Sequence, residues 1–326
     1  MPQFLFPENT YFPQCHASCL LPLTDSHMLC AFFAGTHEKH NDVGIWLSEF
    51  DEKHWLPPRL VAKVSDEPHW NPVLFHTAHG IRLVFKVGAE IRSWRSYTML
   101  SIDGGKNWSL PIQYPASKAV GPVRSKPLLL SNNFLLAPSS EEEGNWLPYV
   151  DLSTNDGCTF ERFSAIPINQ QSPEASDYLS GRGAIQPTLW ESAPGNIHAL
   201  LRTSAGYIYR SDSTDYGYTW CCAYPLELPN NNSGIDIDQA SNGMLYLACN
   251  PVRGDFAART PLCIYVSNDN ATTFSLFSVI DNTTHDPLTG HTAEFSYPSL
   301  AIQNNHLFLT YTWNRRTIAF WSQELK

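Results

Sequence analysis

The stretch that decides the fold is residues 101–108, SIDGGKNW, which returns at residues 213–220 as STDYGYTW. Weaker or decayed copies keep the leading serine and begin at Ser48, Ser153, Ser267 and, as the initial serine alone, Ser322. Successive starts differ by 53, 52, 60, 54 and 55 residues. A period near fifty, with turn residues at fixed offsets, is typical of a β-propeller in which each repeat supplies one blade.

The repeated motif has the chemistry of a tight turn. An Asp or Asn side chain, such as Asp103, can accept hydrogen bonds from the backbone amides that follow it. Gly104 and Gly105 tolerate backbone conformations that other residues resist. The closing aromatic residue, Trp108 or Trp220, then packs the turn against the adjoining strands. These residues are predicted to be structural and not catalytic.

Strand-like runs surround each copy of the motif. The first run of each repeat lies near 16–23, 70–75, 122–130, 184–190, 234–239 and 295–302, and the run just before the turn lies near 43–48, 97–101, 147–153, 207–211, 262–267 and 317–322. With one run between them and one after the turn, each repeat forms four strands. The last repeat lacks its outer strand, so we expect the N-terminal residues to supply it. The prediction is an all-β, six-bladed propeller that spans residues 1–326 as one domain.

Composition excludes several classes of function. The 21 Lys and Arg against 31 Asp and Glu give a net charge of -10, which disfavours nucleic-acid binding. No apolar run approaches a membrane span and no signal peptide is visible, so a cytoplasmic protein is expected. The eight cysteines form no CxxC pair, and most of them are predicted to be small buried residues. Neither a cofactor nor a metal site is expected.

Antiparallel blades predict which face binds a ligand. If the turn after the third strand lies at one end, the start of the first strand and the loop between the second and third strands share the other end. Arg202 and Arg259 fall there, at ends of inner strands, and favour an anionic ligand. The sequence favours pairing with nearby carboxylates at least as much as ligand binding for four other arginines, Arg182, Arg253, Arg315 and Arg316.

The pattern S-x-D-x-G-x-x-W is the Asp box, and the whole sequence resembles the sialidase (neuraminidase) superfamily. It is most similar to the bacterial group of predicted neuraminidases, or BNR-repeat proteins. The resemblance implies that Arg202 and Arg259 clamp a substrate carboxylate and that Tyr297 is the nucleophile. A neutral Tyr suits an anomeric carbon that bears a carboxylate, because it avoids the repulsion a charged attacker would meet.

Other positions depart from the family pattern. His16 stands where the family has the first arginine of the clamp. Gln186 stands where the family has the glutamate that activates the Tyr, and an amide cannot take its proton. The loop at residues 35–42 would supply the acid/base group through Glu38 or Asp42, with His37 beside them. The remaining predicted substrate contacts are Glu294, Trp70, Asn71 and Lys126, with Trp70 and Trp313 as a candidate stacking platform.

Three functions remain open at this point, all with an acidic oligosaccharide or glycoconjugate as partner. The first is a sialidase-like exo-glycosidase that cleaves a terminal acidic sugar. The second is a lyase that eliminates a uronic acid, because His, Tyr and Arg together can abstract the C5 proton and protonate the leaving oxygen. The third is a non-catalytic glycan-binding propeller.

Overall fold

Six four-stranded antiparallel sheets follow one another along the chain in the computed structural model, which describes residues 3–115 and 120–325. After β1 (Gln3–Phe4), blade I contains β2 (Gln14–Thr24), β3 (His27–Gly35), β4 (Gly44–Asp51) and β5 (Arg59–Ala62), and blade II contains β6 (His69–Thr77), β7 (Gly80–Val87), β8 (Arg95–Ser101) and β9 (Ile112–Gln113). Blade III contains β10 (Leu128–Leu129), β11 (Leu135–Glu141), β12 (Leu147–Ser153) and β13 (Glu161–Ala165), and blade IV contains β14 (Ala184–Ala193), β15 (Asn196–Thr203), β16 (Tyr207–Ser213) and β17 (Tyr224–Pro229). Blade V contains β18 (Asp236–Gln239), β19 (Leu245–Cys249), β20 (Leu262–Ser267) and β21 (Ser275–Asp281).

Blade VI is closed by the two ends of the chain. It contains β22 (Phe295–Gln303), β23 (His306–Trp313) and β24 (Thr317–Glu324), and β1 pairs with β24 as its outer strand. The register places Gln3 opposite Phe320. Because β1 covers the edge of β24, the last blade also has four strands. The six-bladed propeller and its closure by the N-terminal strand are therefore confirmed.

The Asp-box turns have the predicted geometry. In blade II, Asp103 Oδ1 accepts hydrogen bonds from Ser101 Oγ at 2.8 Å and from the Asn107 amide at 2.9 Å. The Gly105 amide donates to Ser101 Oγ at 2.8 Å, and a Cβ at Gly105 would lie 2.5 Å from a Leu29 methyl carbon. The turns of blades III, IV and V repeat the amide-to-serine bond at 2.9 Å. The motif is thus a structural turn.

A repeated backbone irregularity marks the inner strands. Five residues in or just before the first strand of a blade have φ between 40° and 57°, and they are Ala17, Asn71, Gln186, Asn232 and Tyr297. Four of them lie in β-bulges, where the register with the second strand shifts. A bulge re-aims its side chain, and such strained positions concentrate at functional sites. This device orients side chains at the narrow centre of the propeller.

The first strand of blade III is shorter than predicted. The run expected near 122–130 contains only β10, because prolines at 122 and 127 cannot donate backbone hydrogen bonds. Arg124 and Lys126 instead extend across the centre of the molecule. Arg124 Nη1 donates to the Ile235 carbonyl at 2.7 Å, and Lys126 Nζ donates to the Leu300 carbonyl. These two cations join blade III to blades V and VI.

The thiols behave as the sequence predicted. All eight cysteines are free and five of them are buried. Burial raises the pKa of Cys263 to about 11, which keeps that thiol protonated at neutral pH. Within residues 3–115 and 120–325, no three His, Cys, Asp or Glu side chains are grouped to hold a metal ion. Within the same two ranges, no helix is long and apolar enough to cross a membrane.

Candidate functional site

Tyr297 lies at the centre of an arginine cluster. The guanidinium carbons of Arg124, Arg202 and Arg259 lie 5.3, 5.6 and 5.7 Å from the centroid of its ring. His16 contributes a ring whose centroid is 4.3 Å from that of Tyr297. Side chains from blades I, III, IV and V therefore surround a residue of blade VI, which places Tyr297 at the propeller axis. We call Tyr297, His16, Gln186, Arg202 and Arg259 the axial site.

Arg202 is buried at the end of β15 and is held by neutral groups. Its Nη1 donates to the Tyr297 hydroxyl at 2.8 Å and to Gln186 Oε1 at 3.0 Å, while Nε donates to Asn232 Oδ1 at 3.0 Å. Within the described ranges, none of its direct hydrogen bonds goes to a carboxylate. A guanidinium held in this way retains a strong attraction for an anionic ligand.

Glu142 extends this network by one residue. Gln186 Nε2 donates to Glu142 Oε1 at 3.0 Å, and Ser140 Oγ donates to the same oxygen at 2.8 Å. Burial raises the pKa of Glu142, and the Arg202 charge partly opposes that effect. The sequence predicts Glu142 and Arg124 on the ligand-binding face, Glu142 through its place in the loop between the second and third strands of blade III, but it assigns neither residue a role in the site.

Arg259 belongs to a chain of ion pairs on the other side of Tyr297. Its Nη1 lies 2.7 Å from Glu294 Oε1, and Arg315 Nε lies 3.1 Å from the same oxygen. Arg315 Nη1 also lies 2.6 Å from Glu38 Oε2. Burial alone would raise the pKa of Glu294, but the Arg315 and Arg259 charges outweigh it and lower that pKa. Glu38 and Glu294 are thus joined through Arg315.

His16 is a neutral imidazole beside the Tyr297 ring. It is buried, with Nδ1 3.0 Å from Thr312 Oγ1. Burial first, and then the charges of Arg315 and Arg259, lower its pKa well below the usual value. The neutral ring offers a lone pair to a proton, but the same burial and charges oppose formation of the imidazolium. His16 also lines a small cavity together with His37, Glu38 and Arg315.

Asp42 makes contacts within its own loop, and this structural role differs from the acid/base role predicted for it. It accepts hydrogen bonds from the Thr36 amide at 3.0 Å and the Thr36 hydroxyl at 2.6 Å, and it lies 2.8 Å from His40 Nδ1. Its carboxylate oxygens therefore close the loop at residues 35–42. His37 is exposed, with Nδ1 2.8 Å from the Glu38 carbonyl oxygen. Of the loop's three candidates, Glu38 is the one that pairs with Arg315.

Trp70 and Lys126 are placed differently from the predicted substrate contacts. Trp70 is 4% exposed, donates from Nε1 to the Gly88 carbonyl at 2.9 Å and packs on Trp94, so its faces cannot form an open stacking platform. Lys126 Nζ is held by the Leu300 carbonyl and lies 3.4 Å from Asp236 Oδ2. Asn71 occupies the bulge position of blade II that corresponds to Tyr297 in blade VI.

The four arginines for which the sequence left carboxylate pairing open divide into two kinds. Arg315 and Arg316 pair with carboxylates, Arg316 with Asp286 at 2.5 Å. Arg182 lies over the rings of Trp146 and Phe256 at 5.5 and 5.3 Å, and Arg253 lies over Tyr207 at 4.8 Å.

A cavity of about 280 Å³ opens beside Glu142, between the loops of blades II and III. The axial site thus combines fixed cations, a neutral base and a phenol.

Comparisons with known proteins agree with this architecture. Residues 26–309 match the model of the BNR repeat-like domain. A search among curated proteins gave no match. The Hadza microbial sialidase Hz136 is 13% identical, with a TM-score of 0.80 over 100% of this chain and 68% of its own. A protein of unknown function from Dyadobacter fermentans is 14% identical, with a TM-score of 0.79 over 100% and 98%.

The NanB sialidase from Streptococcus pneumoniae is also similar. It is 13% identical, with a TM-score of 0.73 over 99% of this chain and 70% of its own. At these identities the structural matches support the sialidase-like propeller fold, while the family model covers most of the sequence. The protein therefore belongs to the BNR repeat-like domain family and is a sialidase-like propeller.

Proposed function

We propose that the protein is a carbohydrate-active enzyme that cleaves a terminal acidic sugar, such as sialic acid, from an oligosaccharide or glycoconjugate. The observation that carries the proposal is the 2.8 Å hydrogen bond from Arg202 to the Tyr297 hydroxyl inside the arginine cluster. It brings a phenol and fixed positive charge to the same point. A substrate with a carboxylate next to its reacting carbon matches that arrangement.

The substrate carboxylate would bind between Arg202 and Arg259. Arg202 offers a guanidinium held by neutral partners, and Arg259 shares its charge with Glu294 at 2.7 Å. Two guanidinium forks give geometric as well as electrostatic selection for a carboxylate. Asn71, at the equivalent bulge of blade II, would contact the neutral part of the sugar.

In the hydrolytic reaction, the Tyr297 oxygen would attack the anomeric carbon. The phenol proton would pass to the neutral His16, since Gln186 cannot accept it. The bond from the anomeric carbon to the leaving oxygen would break, and that oxygen would take a proton from the imidazole of His37, which lines the same small cavity as His16. Water would then release the sugar from Tyr297 and restore the phenol.

A second candidate is β-elimination from a uronic acid, and the neutral His16 beside Tyr297 favours it. Arg202 would neutralise the carboxylate and so acidify the neighbouring C5 proton. His16 would take that proton, the C4–O bond would break, and Tyr297 would protonate the leaving oxygen. The products would be an unsaturated uronate and a free hydroxyl, with no water consumed.

The deciding experiment incubates the purified protein with oligosaccharides that end in sialic acid or in glucuronate. Reducing sugar and the ultraviolet absorbance of an unsaturated uronate are followed together. Reducing sugar without the absorbance supports the hydrolase, and growth of the absorbance supports the lyase. Silence in both assays, with glycan binding still measurable by calorimetry, would overturn both and leave a glycan-binding propeller.

A further inference from the structure

A serine, a histidine and an aspartate form a hydrogen-bonded chain at the other end of blade IV. Ser192 Oγ lies 2.7 Å from His198 Nε2, and His198 Nδ1 lies 2.5 Å from Asp212 Oδ1. Ser192 is exposed near the turn between β14 and β15, whereas His198 is 8% exposed. We call these three residues the rim triad. Its distances are those of a nucleophile, a base and an orienting carboxylate.

The sheet fixes the geometry of the rim triad. His198 on β15 is paired directly with Asp212 on β16 and with Trp190 on β14. The imidazole stacks on the Trp190 ring with their centroids 4.9 Å apart. Ser192 lies where the register between β14 and β15 shifts, and this irregularity brings its hydroxyl to His198. Rigid strands therefore hold the base and its carboxylate in place.

Asp212 is held as an anion. It accepts hydrogen bonds from the Tyr224 hydroxyl at 2.7 Å and from Arg210 Nε at 2.9 Å. Burial alone would raise the pKa of Asp212, but the hydrogen bonds from His198, Tyr224 and Arg210 lower it to about 2. An ionised carboxylate at Nδ1 favours the tautomer with the proton on Nδ1, so that the Nε2 lone pair faces the Ser192 hydroxyl at 2.7 Å, with the Asn270 amide nitrogen farther away at 3.2 Å.

Asn270 supplies a donor beside the reacting atoms. Its Nδ2 lies 3.2 Å from His198 Nε2, and its Oδ1 accepts a hydrogen bond from Trp190 Nε1 at 2.8 Å. The tryptophan bond fixes the orientation of the amide, so its N–H groups face the side where Ser192 and His198 meet. Side-chain amides can stabilise the oxyanion that develops in acyl transfer.

We propose that the rim triad is a second catalytic site, which cleaves small carboxylic esters. Ser192 Oγ would attack the ester carbonyl carbon while His198 Nε2 takes its proton, and Asn270 would donate to the oxyanion. The carbonyl–alkoxide bond would then break, His198 would protonate the leaving alcohol, and water would hydrolyse the acyl-serine. Because Ser192 is exposed, the substrate class is a small or flexible acyl group.

This site is separate from the axial site. His198 and Arg202 lie on the same strand, four residues apart, which corresponds to about 13 Å. Arg210 Nη2 lies 3.1 Å from His198 Nδ1, and because a guanidinium can only donate, it competes with the Nδ1–H tautomer that the rim triad needs. We therefore expect slow turnover, in which the acyl-serine forms and persists long enough to be detected.

The test uses p-nitrophenyl acetate and a fluorophosphonate on the whole protein. We expect peptide mass spectrometry to find the acetyl group and the phosphonate on Ser192. Ser192→Ala should lower p-nitrophenol release by about 100-fold or more. Ser241→Ala is the matched control, because Ser241 is also an exposed turn serine and lies in blade V. That variant should keep the wild-type rate.

Asp212→Asn provides the second variant, since it preserves size but removes the charge that holds the tautomer. It should reduce acetylation of Ser192 while circular dichroism confirms the folded propeller. Modification of Ser241 to the same extent as Ser192 would overturn the proposal. Unchanged release in Ser192→Ala, or absence of any serine adduct in the wild type, would also overturn it.

Discussion

Arg202 Nη1 donates a hydrogen bond of 2.8 Å to the Tyr297 hydroxyl and so joins β15 of blade IV to β22 of blade VI. Because the phenol oxygen accepts this bond, the phenol's own proton points away from Arg202. That direction leaves the proton available to a base or to a leaving group. One contact thus couples the cation that would bind the substrate to the group that would react with it.

Tyr297→Phe tests this coupling. The substitution removes the reacting oxygen, while Arg202 keeps its bonds to Gln186 and Asn232. We expect turnover of an acidic oligosaccharide to fall about a thousandfold or more, with affinity changed less than about threefold. Turnover is measured by sugar release, and affinity is measured by calorimetry with the unreacted ligand.

The control for this variant is Tyr218→Phe. Tyr218 is 62% exposed in the Asp-box turn of blade IV, so the loss of its hydroxyl should leave turnover unchanged. Full activity in Tyr297→Phe would remove Tyr297 from both the hydrolase and the lyase mechanisms.

Lysine substitutions should separate the two arginines of the clamp. Arg202 donates to three different side chains, and a lysine ammonium cannot reproduce that planar arrangement. We expect Arg202→Lys to raise KM at least about tenfold and also to lower kcat, because Tyr297 loses its partner. Arg259→Lys keeps a point charge opposite Glu294, so KM should rise by a smaller factor with kcat nearly unchanged.

Equal effects on kcat in these two variants would contradict the separate roles. Steady-state kinetics on a single acidic substrate are sufficient for the comparison. Thermal unfolding of each variant checks that the buried Arg202 position tolerates lysine.

A pair of substitutions tests whether Glu142 controls the ionisation of a carboxylate placed at position 186. Gln186→Glu alone brings a second carboxylate to the oxygen of Glu142 that now lies 3.0 Å from the Gln186 amide nitrogen. Two carboxylates this close cannot both ionise easily, so one of them binds a proton. Combining Gln186→Glu with Glu142→Gln restores a donor opposite the new carboxylate, which then also accepts from Arg202.

We expect the double variant to hydrolyse a sialoside at least about tenfold faster than Gln186→Glu alone. Glu142→Gln by itself should give no such gain, because position 186 still lacks a proton acceptor. Equal rates in the single and double variants would show that Glu142 does not control the ionisation at position 186.

The sequence predicted the architecture because the Asp-box turn is local. Its serine, aspartate and glycine interact within five residues, so each copy marks the end of a third strand. The strand order, and the pairing of the N-terminal strand with the last strand of the chain, follow from counting strands around a closed ring. The first strand of blade III was predicted much too long, since Arg124 and Lys126 replace its ladder with contacts across the axis. The first strand of blade V begins at Asp236, two residues later than predicted.

The site was less predictable because its contacts join distant parts of the chain. Glu142 meets Gln186 across 44 residues, and Arg202 meets Tyr297 across 95. Trp70 has the large aromatic ring of a sugar-stacking residue, but its packing against Trp94 depends on a neighbouring loop. The bulges are likewise invisible in the sequence pattern, because a residue such as Tyr297 is rare at positive φ.

The Asp-box turns predict a specific response to acid. In blade V, Asp269 accepts hydrogen bonds from the Thr273 hydroxyl at 2.6 Å and the Thr273 amide at 2.9 Å. These bonds, with that from Ser267, lower the pKa of Asp269 to about 2 from its usual value of 3.8. Blade III has Asn155 at this position, and it makes the corresponding contacts with Thr159 at 2.8 and 3.0 Å.

Asp269→Asn should therefore keep the turn while removing the part of its contribution to the free energy of unfolding that depends on acid pH. A carboxylate whose folded pKa lies below the unfolded value stabilises fully above pH 3.8 and loses that effect as the pH falls through about 2. The difference in unfolding free energy between wild type and Asp269→Asn should shrink between pH 5 and pH 2 in urea titrations. Asp66→Asn, at an exposed position outside the Asp-box turns, is the control. A difference that stays constant over this range would mean that the Thr273 bonds do not stabilise the charged form.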